Sequence, residues 1–216
     1  MPAAPETVPP VRAFEMRHLQ LARAFFAAIA AVMITFSRDH SAAVGLSVFS
    51  GWAIATALVL FVAAWQVYDR GRRAVPVLLG VLTLLAGMAG GLPPFRSTTL
   101  FFVVVIVWAF AAGITELVSG IRARGADEHA RDAILVGALT IALGVGLLLV
   151  NPAYSLEYFI KEAGQTFVLT GITIGVGIFG GYAAIVAVFL GIAGFSPRRP
   201  VVSAATSDAE SAGEPA

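Results

Sequence analysis

Residues 98–121 read TTLFFVVVIVWAFAAGITELVSGI, a run in which Glu116 is the only charged residue. A helix rises 1.5 Å per residue, so this run would span about 36 Å, enough to cross a hydrocarbon core of about 30 Å. It lacks the alternation of polar and apolar residues that is typical of strands in a membrane barrel. The sequence therefore predicts a transmembrane helix here.

Five further apolar runs of similar length lie on either side of it, at residues 19–36, 45–68, 74–92, 133–150 and 166–190. Arg23 is the only charged residue inside these five. Of the whole chain, 58% is hydrophobic and 12% is charged, whereas an average soluble domain is roughly 25% charged. So much apolar surface needs lipid as its solvent. The sequence predicts an all-α, polytopic membrane protein with six transmembrane helices.

The two ends of the chain differ from this core in composition. Residues 1–16 are rich in proline, and residues 196–216 are rich in alanine, serine and acidic side chains. This predicts disordered tails around a transmembrane domain at 17–195. Eleven arginines fall on the side of the amino terminus, and three cationic residues fall on the other side: Arg38, Arg96 and Lys161. By the positive-inside rule, both termini are expected in the cytoplasm.

A six-residue motif recurs along the chain. WAIATA at 52–57 returns as WAFAAG at 108–113, 56 residues later, and a weaker third copy is FVLTGI at 167–172. The intervening helices correspond through two pairs of glycines that are each 57 residues apart, Gly80 with Gly137 and Gly87 with Gly144.

This spacing predicts three tandem helical hairpins, at about 17–69, 70–125 and 126–195. All three would enter the membrane in the same direction, so the repeats are parallel. Inverted repeats, in contrast, are a common signature of alternating-access transporters.

The pattern W-x-x-x-x-G-I-x-E runs from Trp108 to Glu116 and is followed by an arginine loop, a glycine-rich helix and Asn151-Pro152. In these residues the chain resembles the HdeD family over roughly 17–184. The resemblance implies a small six-helix protein of the bacterial inner membrane that is associated with stress or acid resistance. It implies no enzyme activity and supplies no catalytic residues.

The first hairpin departs from the family pattern at two places. Arg38, Asp39 and His40 stand where a proline is expected, and Leu60 stands where Glu116 would repeat.

Glu116 is the only acidic residue well inside an apolar run. A charge in the bilayer costs at least about 2.5 kcal/mol, so an intramembrane carboxylate is a functional candidate by default. It could serve as a proton relay on a transport path. Alternatively, it could be a structural group that pairs with Ser119, with Arg124 on the same helical face, or with Arg23 from another helix.

Six glycines are spaced for close helix packing. They form three Gly-x-x-x-Gly pairs, a spacing that lets two helices approach closely. We expect them to pack inside the bundle, and a homodimer face is the alternative. They are Gly87 and Gly91, Gly171 and Gly175, and Gly177 and Gly181.

The segment 151–164 carries three further charges, Glu157, Lys161 and Glu162. Its apolar residues follow a helical stripe, which favours a short helix lying on the outer membrane interface. In the alternative, the sixth transmembrane helix begins near Leu156 and buries the three charges in the bundle as a functional cluster.

No enzyme chemistry is predicted. The chain has no cysteine, and it has no metal-ligand spacing, nucleotide loop or nucleophile–base arrangement, so neither a metal nor a cofactor is expected. A net charge of +1 does not suggest nucleic acid. The expected partners are membrane lipids, and a homo-oligomer or other membrane proteins also fit. Two hypotheses follow: a non-enzymatic, stress-related membrane protein, or a small transporter or channel for protons or small solutes with Glu116 on the path.

Overall fold

The computed structural model describes residues 14–125, 129–161 and 164–196. Most of the two predicted tails, and Glu162, lie outside these residues. The described chain contains six α-helices: α1 (Met16–Phe36), α2 (Ala42–Gln66), α3 (Ala74–Gly91), α4 (Thr98–Arg122), α5 (Ala130–Leu148) and α6 (Gly171–Phe195). All six are long and apolar enough to cross a membrane. The predicted six-helix membrane protein is confirmed.

Hydroxyl side chains fix where three of these helices begin. Ser41 accepts a hydrogen bond from the backbone N–H of Val44 before α2, and Ser97 accepts one from Leu100 before α4. Thr170 caps α6 in the same way. A side-chain oxygen at this position satisfies one of the four N–H groups that have no partner in the first turn. The even-numbered helices therefore begin with capped first turns.

The helices form a closed ring in which each one packs against its neighbours in sequence, and α6 returns to pack against α1. The most extensive contacts join α2 to α3, α4 to α5, and α6 to α1. Each of these pairs joins one predicted hairpin to the next. The first and last helices of the chain thus complete a set of three similar pairs.

The two ends of this ring differ in charge. At one end α1, α3 and α5 begin and α2, α4 and α6 end; we call it the arginine-rich face because Arg70, Arg72, Arg73 and Arg122 lie there. The opposite end, the hairpin face, carries a two-stranded antiparallel hairpin of β1 (Ser155–Ile160) and β2 (Gln165–Thr170).

Five aromatic side chains of α2, α4 and α6 meet at the centre of the ring, and we call them the aromatic cluster. Their ring centroids lie 5.1 to 6.5 Å apart, most of them edge to face, the arrangement that aromatic quadrupoles favour. The cluster consists of Phe49, Trp52, Trp108, Phe179 and Tyr182.

The aromatic cluster shows where the third repeat lies. Trp52, Trp108 and Tyr182 take equivalent places in α2, α4 and α6, at intervals of 56 and 74 residues. The predicted third copy at 167–172 is wrong, because most of that stretch belongs to strand β2. The larger second interval exceeds the first by 74 − 56 = 18 residues, which is accounted for by the hairpin between α5 and α6.

The segment 151–164 also differs from both predictions, since it forms neither an interfacial helix nor the start of α6. Six residue pairs join β1 to β2, and Tyr158 opposite Phe167 stacks its ring on that partner at 6.0 Å. Aromatic and β-branched residues in both segments favour strands, and Gly164 supplies a positive φ of 61° in the turn. Strand pairing therefore outweighed the helical spacing of the apolar residues.

The outer surface of the ring is apolar. Phe25, Val107 and Val188 are each more than half exposed, and many other large apolar side chains on the outer helix surfaces are exposed with them. Lipid acyl chains would cover this belt, as the composition predicts.

Candidate functional site

A buried ion pair joins α1 to α4 near the arginine-rich face. The guanidinium of Arg23 donates from Nη1 to Oε1 of Glu116 at 2.8 Å and from Nη2 to Oε2 at 3.2 Å. The two side chains are 17% and 10% exposed. A two-pronged contact of this kind is the strongest and most directional pairing available to a carboxylate. We call it the central ion pair.

Both members of the central ion pair are exceptions within the repeat. At intervals of 56 and 74 residues, the positions equivalent to Glu116 in α2 and α6 hold Leu60 and Leu190, both buried. At intervals of 56 and 57 residues, the positions equivalent to Arg23 in α3 and α5 hold Leu79 and Val136. Bundle packing is thus compatible with an aliphatic residue at these places.

A vestibule of about 230 Å³ leads from the arginine-rich face to the central ion pair. Its walls are mixed: Met16, Leu19 and Val75 are apolar, whereas Arg72 and His129 bring polar groups to its mouth. Glu116 therefore lies at the inner end of this vestibule.

A second, inner cavity of about 20 Å³ lies on the other side of the central ion pair, and both Arg23 and Glu116 also line it. Its remaining polar lining comes from side chains of the ring interior, Trp52, Thr56, Thr83, Thr140 and Tyr182 among them. Together with Arg23 and Glu116, polar side chains of all six helices therefore converge around one small space inside the bundle.

Around the inner cavity, an aromatic side chain of α2, α4 and α6 faces an equivalent position on the helix before it in sequence. Two of these three pairs form matching hydrogen bonds. Trp108 Nε1 donates to Thr83 Oγ1 at 3.1 Å, and the hydroxyls of Tyr182 and Thr140 lie 2.9 Å apart. In the third pair the position equivalent to Thr83, 56 residues earlier, is Ala27, which has no hydroxyl to offer. Trp52 Nε1 and the hydroxyl of Thr56 are both buried and have no hydrogen-bond partner in the described chain.

A second polar pair extends the site toward α5. Gln20 Nε2 donates to Oδ2 of Asp132 at 2.6 Å, and both residues line a cavity of about 60 Å³ together with Arg23 and Glu116. Three of these four residues lie in α1 and α5, and the fourth, Glu116, lies in α4. The polar region therefore spans the junction of α1, α4 and α5.

The axis is closed toward the hairpin face. Beyond the aromatic cluster, Leu46, Phe101, Val105 and Val176 are fully buried, and they fill the space between α2, α4 and α6. Apolar packing thus separates the polar interior from the hairpin face, whereas the vestibule lies toward the arginine-rich face.

The predicted site residues meet different outcomes. Glu116 lies in the site, and its partner is Arg23, one of the three pairing candidates. The Ser119 hydroxyl donates to the backbone carbonyl of Glu116, at 2.8 Å. Glu157 and Lys161 lie exposed on the β-hairpin and its turn, so they form no cluster inside the bundle.

The six predicted packing glycines divide into two groups. A Cβ added at Gly87 or Gly175 would approach a neighbouring helix within 2.9 Å, one at Gly91 would crowd the Ser50 hydroxyl, and one at Gly171 would collide with the carbonyl of Asn151. At two further positions an added Cβ would meet no other described atom within 4 Å: Gly177 and Gly181.

Most of the site was not predicted from sequence. Thr56, Thr83, Thr140 and Tyr182 are ordinary residues of membrane helices, and only their threefold arrangement makes them a polar ring. The available signal was the spacing of 57 residues between Thr83 and Thr140, which equals the glycine spacing.

Among the residues that the structure describes, no cluster of three or more His, Asp or Glu side chains could hold a metal ion. Comparison with protein-family models, with curated proteins and with solved structures found no match to this chain.

Proposed function

We propose that this integral membrane protein conducts protons or a small solute through its bundle, with Glu116 on the path. One observation carries the proposal: polar side chains converge on the central ion pair, with the vestibule on one side and the inner cavity on the other. A bundle that served only as a membrane scaffold would have no use for this arrangement.

The energetics support a functional pair. Burying two charges gains little net stability, because desolvation offsets most of their attraction. The equivalent positions in the other repeats hold aliphatic residues. The bundle therefore accommodates uncharged side chains there, which carry no cost of desolvating a charge. A carboxylate retained beside a polar cavity is the usual component of a proton or solute path in a membrane protein.

The direction of entry follows from the loop charges. Since arginine-rich loops stay on the cytoplasmic side, the vestibule would open to the cytoplasm of a bacterial inner membrane. The buried apolar residues beyond the aromatic cluster would then form the closed outer gate. Transport requires these residues to move, and the structure would represent a state that is open inward.

The test is proton and ion flux into liposomes that contain the wild-type protein, the Glu116→Gln variant or the Glu157→Gln variant. Glu157 is the matched control, because it is an exposed carboxylate on the β-hairpin. We expect flux in the wild type and in Glu157→Gln, and none above protein-free liposomes in Glu116→Gln. Tight wild-type liposomes, across an acid gradient and a range of ions, would contradict the proposal.

Loss of the folded protein would imitate loss of transport in Glu116→Gln. A second variant, Arg23→Leu with Glu116→Leu, places at both positions an aliphatic residue like those of the other repeats. If this double variant elutes as a single species in detergent and shows no flux, the loss of flux results from removal of the two charges and not from misfolding.

A second candidate is a non-enzymatic, stress-related membrane protein, as the resemblance to the HdeD family implies. The observation in its favour is the fully buried apolar layer near the hairpin face, formed in part by Phe101 and Val176, which closes the axis. Such a protein would act through lipids or membrane partners. Tight liposomes together with poor acid survival of a deletion strain would favour this candidate over transport.

A further inference from the structure

The inner cavity contains two polar groups that the protein leaves without partners. Trp52 is 7% exposed and Thr56 is 4% exposed, and the indole N–H of the first and the hydroxyl of the second have no hydrogen-bond partner in the described chain. Both side chains line the same cavity as the carboxylate of Glu116. Buried polar groups without partners are rare in native proteins, and each needs a physical explanation.

The chemistry of the lining restricts what could satisfy these groups. An indole N–H only donates, so the ligand must accept a hydrogen bond, whereas a hydroxyl can donate or accept. Arg23 and Glu116 contribute opposite charges to the lining, so an ionic ligand would gain attraction from one and repulsion from the other. The cavity measures about 20 Å³, and a bound water needs about 10–15 Å³ on this measure. A neutral acceptor of one or two heavy atoms fits.

We propose that the inner cavity binds one water molecule, which accepts a hydrogen bond from Trp52 Nε1 and bridges Thr56 to the carboxylate of Glu116. Three partners are the usual number for a buried water. The water supplies the hydrogen-bond partner that the hydroxyls of Thr83 and Thr140 supply in the other two pairs, since the equivalent residue Ala27 has no hydroxyl. The site does not depend on the proposed transport function.

The bound water would also take part in the proposed transport. This second part of the inference rests on the proposed function. The proposed water donates a hydrogen to the ionised carboxylate of Glu116 and accepts one from Trp52. A proton that reaches this water can therefore pass along its hydrogen bond to the carboxylate, on the side away from the vestibule. The water extends the polar path one step beyond the central ion pair.

The direct test is magnetisation transfer from bulk water to the indole N–H protons in isotope-labelled protein. The chain has three tryptophans, Trp52, Trp65 and Trp108, so single substitutions to phenylalanine assign all three signals. We expect stronger transfer to Trp52 than to Trp108, because the Trp108 N–H donates to Thr83 and not to the water. Thr56→Val should weaken the Trp52 transfer without changing the Trp108 signal. A Trp52 signal without transfer from water would overturn the site.

A stability comparison provides a second readout. Trp52→Phe and Trp108→Phe remove the same atoms from the same aromatic cluster. If water satisfies Trp52, both variants should lower the unfolding midpoint in detergent equally, to within about 2 °C. A clearly smaller loss for Trp52→Phe would indicate an N–H that was never satisfied and would contradict the site.

A small anion is the competing ligand. Exchange of chloride for fluoride or nitrate should leave the Trp52 signal unchanged if water is bound, and a shift that saturates with anion concentration would overturn the proposal. Absence of flux in wild-type liposomes would contradict the proposed transport but not the water site. Magnetisation transfer from water to Trp52 is measured without any gradient and tests the site by itself.

Discussion

At the scale of single residues, each member of the central ion pair is the buried counter-charge of the other. Glu116 and Arg23 are each mostly buried, and each neutralises the other through two hydrogen bonds. Removing one partner leaves a buried charge uncompensated, which is far more costly than never having placed the pair there.

We therefore predict that Glu116→Leu and Arg23→Leu each lower the free energy of unfolding by about 3–5 kcal/mol. The double variant should recover most of this loss, because it copies the aliphatic residues Leu60 and Leu79 of the other repeats. Chemical unfolding of all four proteins in detergent measures the coupling. Additive losses in the double variant would show that the two charges do not depend on each other.

A second residue-scale prediction concerns the bond from Trp108 to Thr83. Thr83→Val keeps the shape of the side chain but leaves the buried indole N–H without an acceptor, which should cost about 1–3 kcal/mol of unfolding free energy. Thr83→Ser retains the hydroxyl and is the matched control. Equal stability of the valine variant and the wild type would mean that Trp108 finds another partner.

Sequence reasoning could locate one residue of this site and not the rest. Glu116 is conspicuous as a charge in an apolar run, and Arg23 is among its natural partners. Thr83 and Thr140 carry no such mark, because single hydroxyls are common in membrane helices and satisfy themselves on their own backbone. Their role depends on which helices surround the axis, a property of the assembled ring.

At the scale of helices and strands, glycine marks the closest contacts. A Cβ at Gly137 would lie 2.8 Å from the backbone oxygen of Gly113 in α4, so the two helices touch backbone to backbone. The glycines of one helix thus set how closely its neighbour packs.

We predict that Gly137→Ala forces α5 away from α4 and lowers the unfolding free energy by about 1–3 kcal/mol, the usual cost of overpacking. Gly177→Ala is the control, since an added Cβ there meets no described atom within 4 Å. Its stability should match the wild type. Thermal unfolding in one detergent compares them, and equal midpoints for both variants would argue against a backbone contact at Gly137.

The β-hairpin is the element that sequence reasoning missed. Helical spacing of apolar residues and strand-forming composition coexist between residues 151 and 170, and periodicity alone cannot choose between them over so short a stretch. What decided the outcome was pairing: β1 has a partner at the right distance in sequence, and Gly164 makes the turn. The long apolar runs carried no such ambiguity, so all six helices could be predicted.

At the scale of the whole molecule, the ring is closed by two helices from opposite ends of the chain. The contact of α6 with α1 is as extensive as that of α2 with α3, although no loop connects α6 to α1. Tandem repeats in the sequence predict hairpins but not this closure, because repeat spacing describes neighbours along the chain and not in space.

The absence of cysteine allows a clean test of the closure. A Cβ at Gly180 would lie 3.2 Å from that of Ile34, near the separation found in disulfides. We predict that Ile34→Cys with Gly180→Cys forms an intramolecular bond under mild oxidation, seen as a shift in non-reducing electrophoresis. Ile34→Cys with Gly181→Cys should not cross-link. Efficient bonding in both would indicate that α6 rotates freely against α1.

Closure of the ring also has a consequence for how the protein is made. Arg23 leaves the ribosome 93 residues ahead of Glu116, a delay of roughly 5–20 s at 5–20 residues per second. During that time α1 carries an arginine without its carboxylate, and the helix α6 that will hold it has not yet been synthesised. The nascent α1 must wait with its guanidinium drawn toward the lipid headgroups, or be held by the insertion machinery. Helix α1, which enters the membrane before α4 and α6, thus reaches its final position only after both have been made.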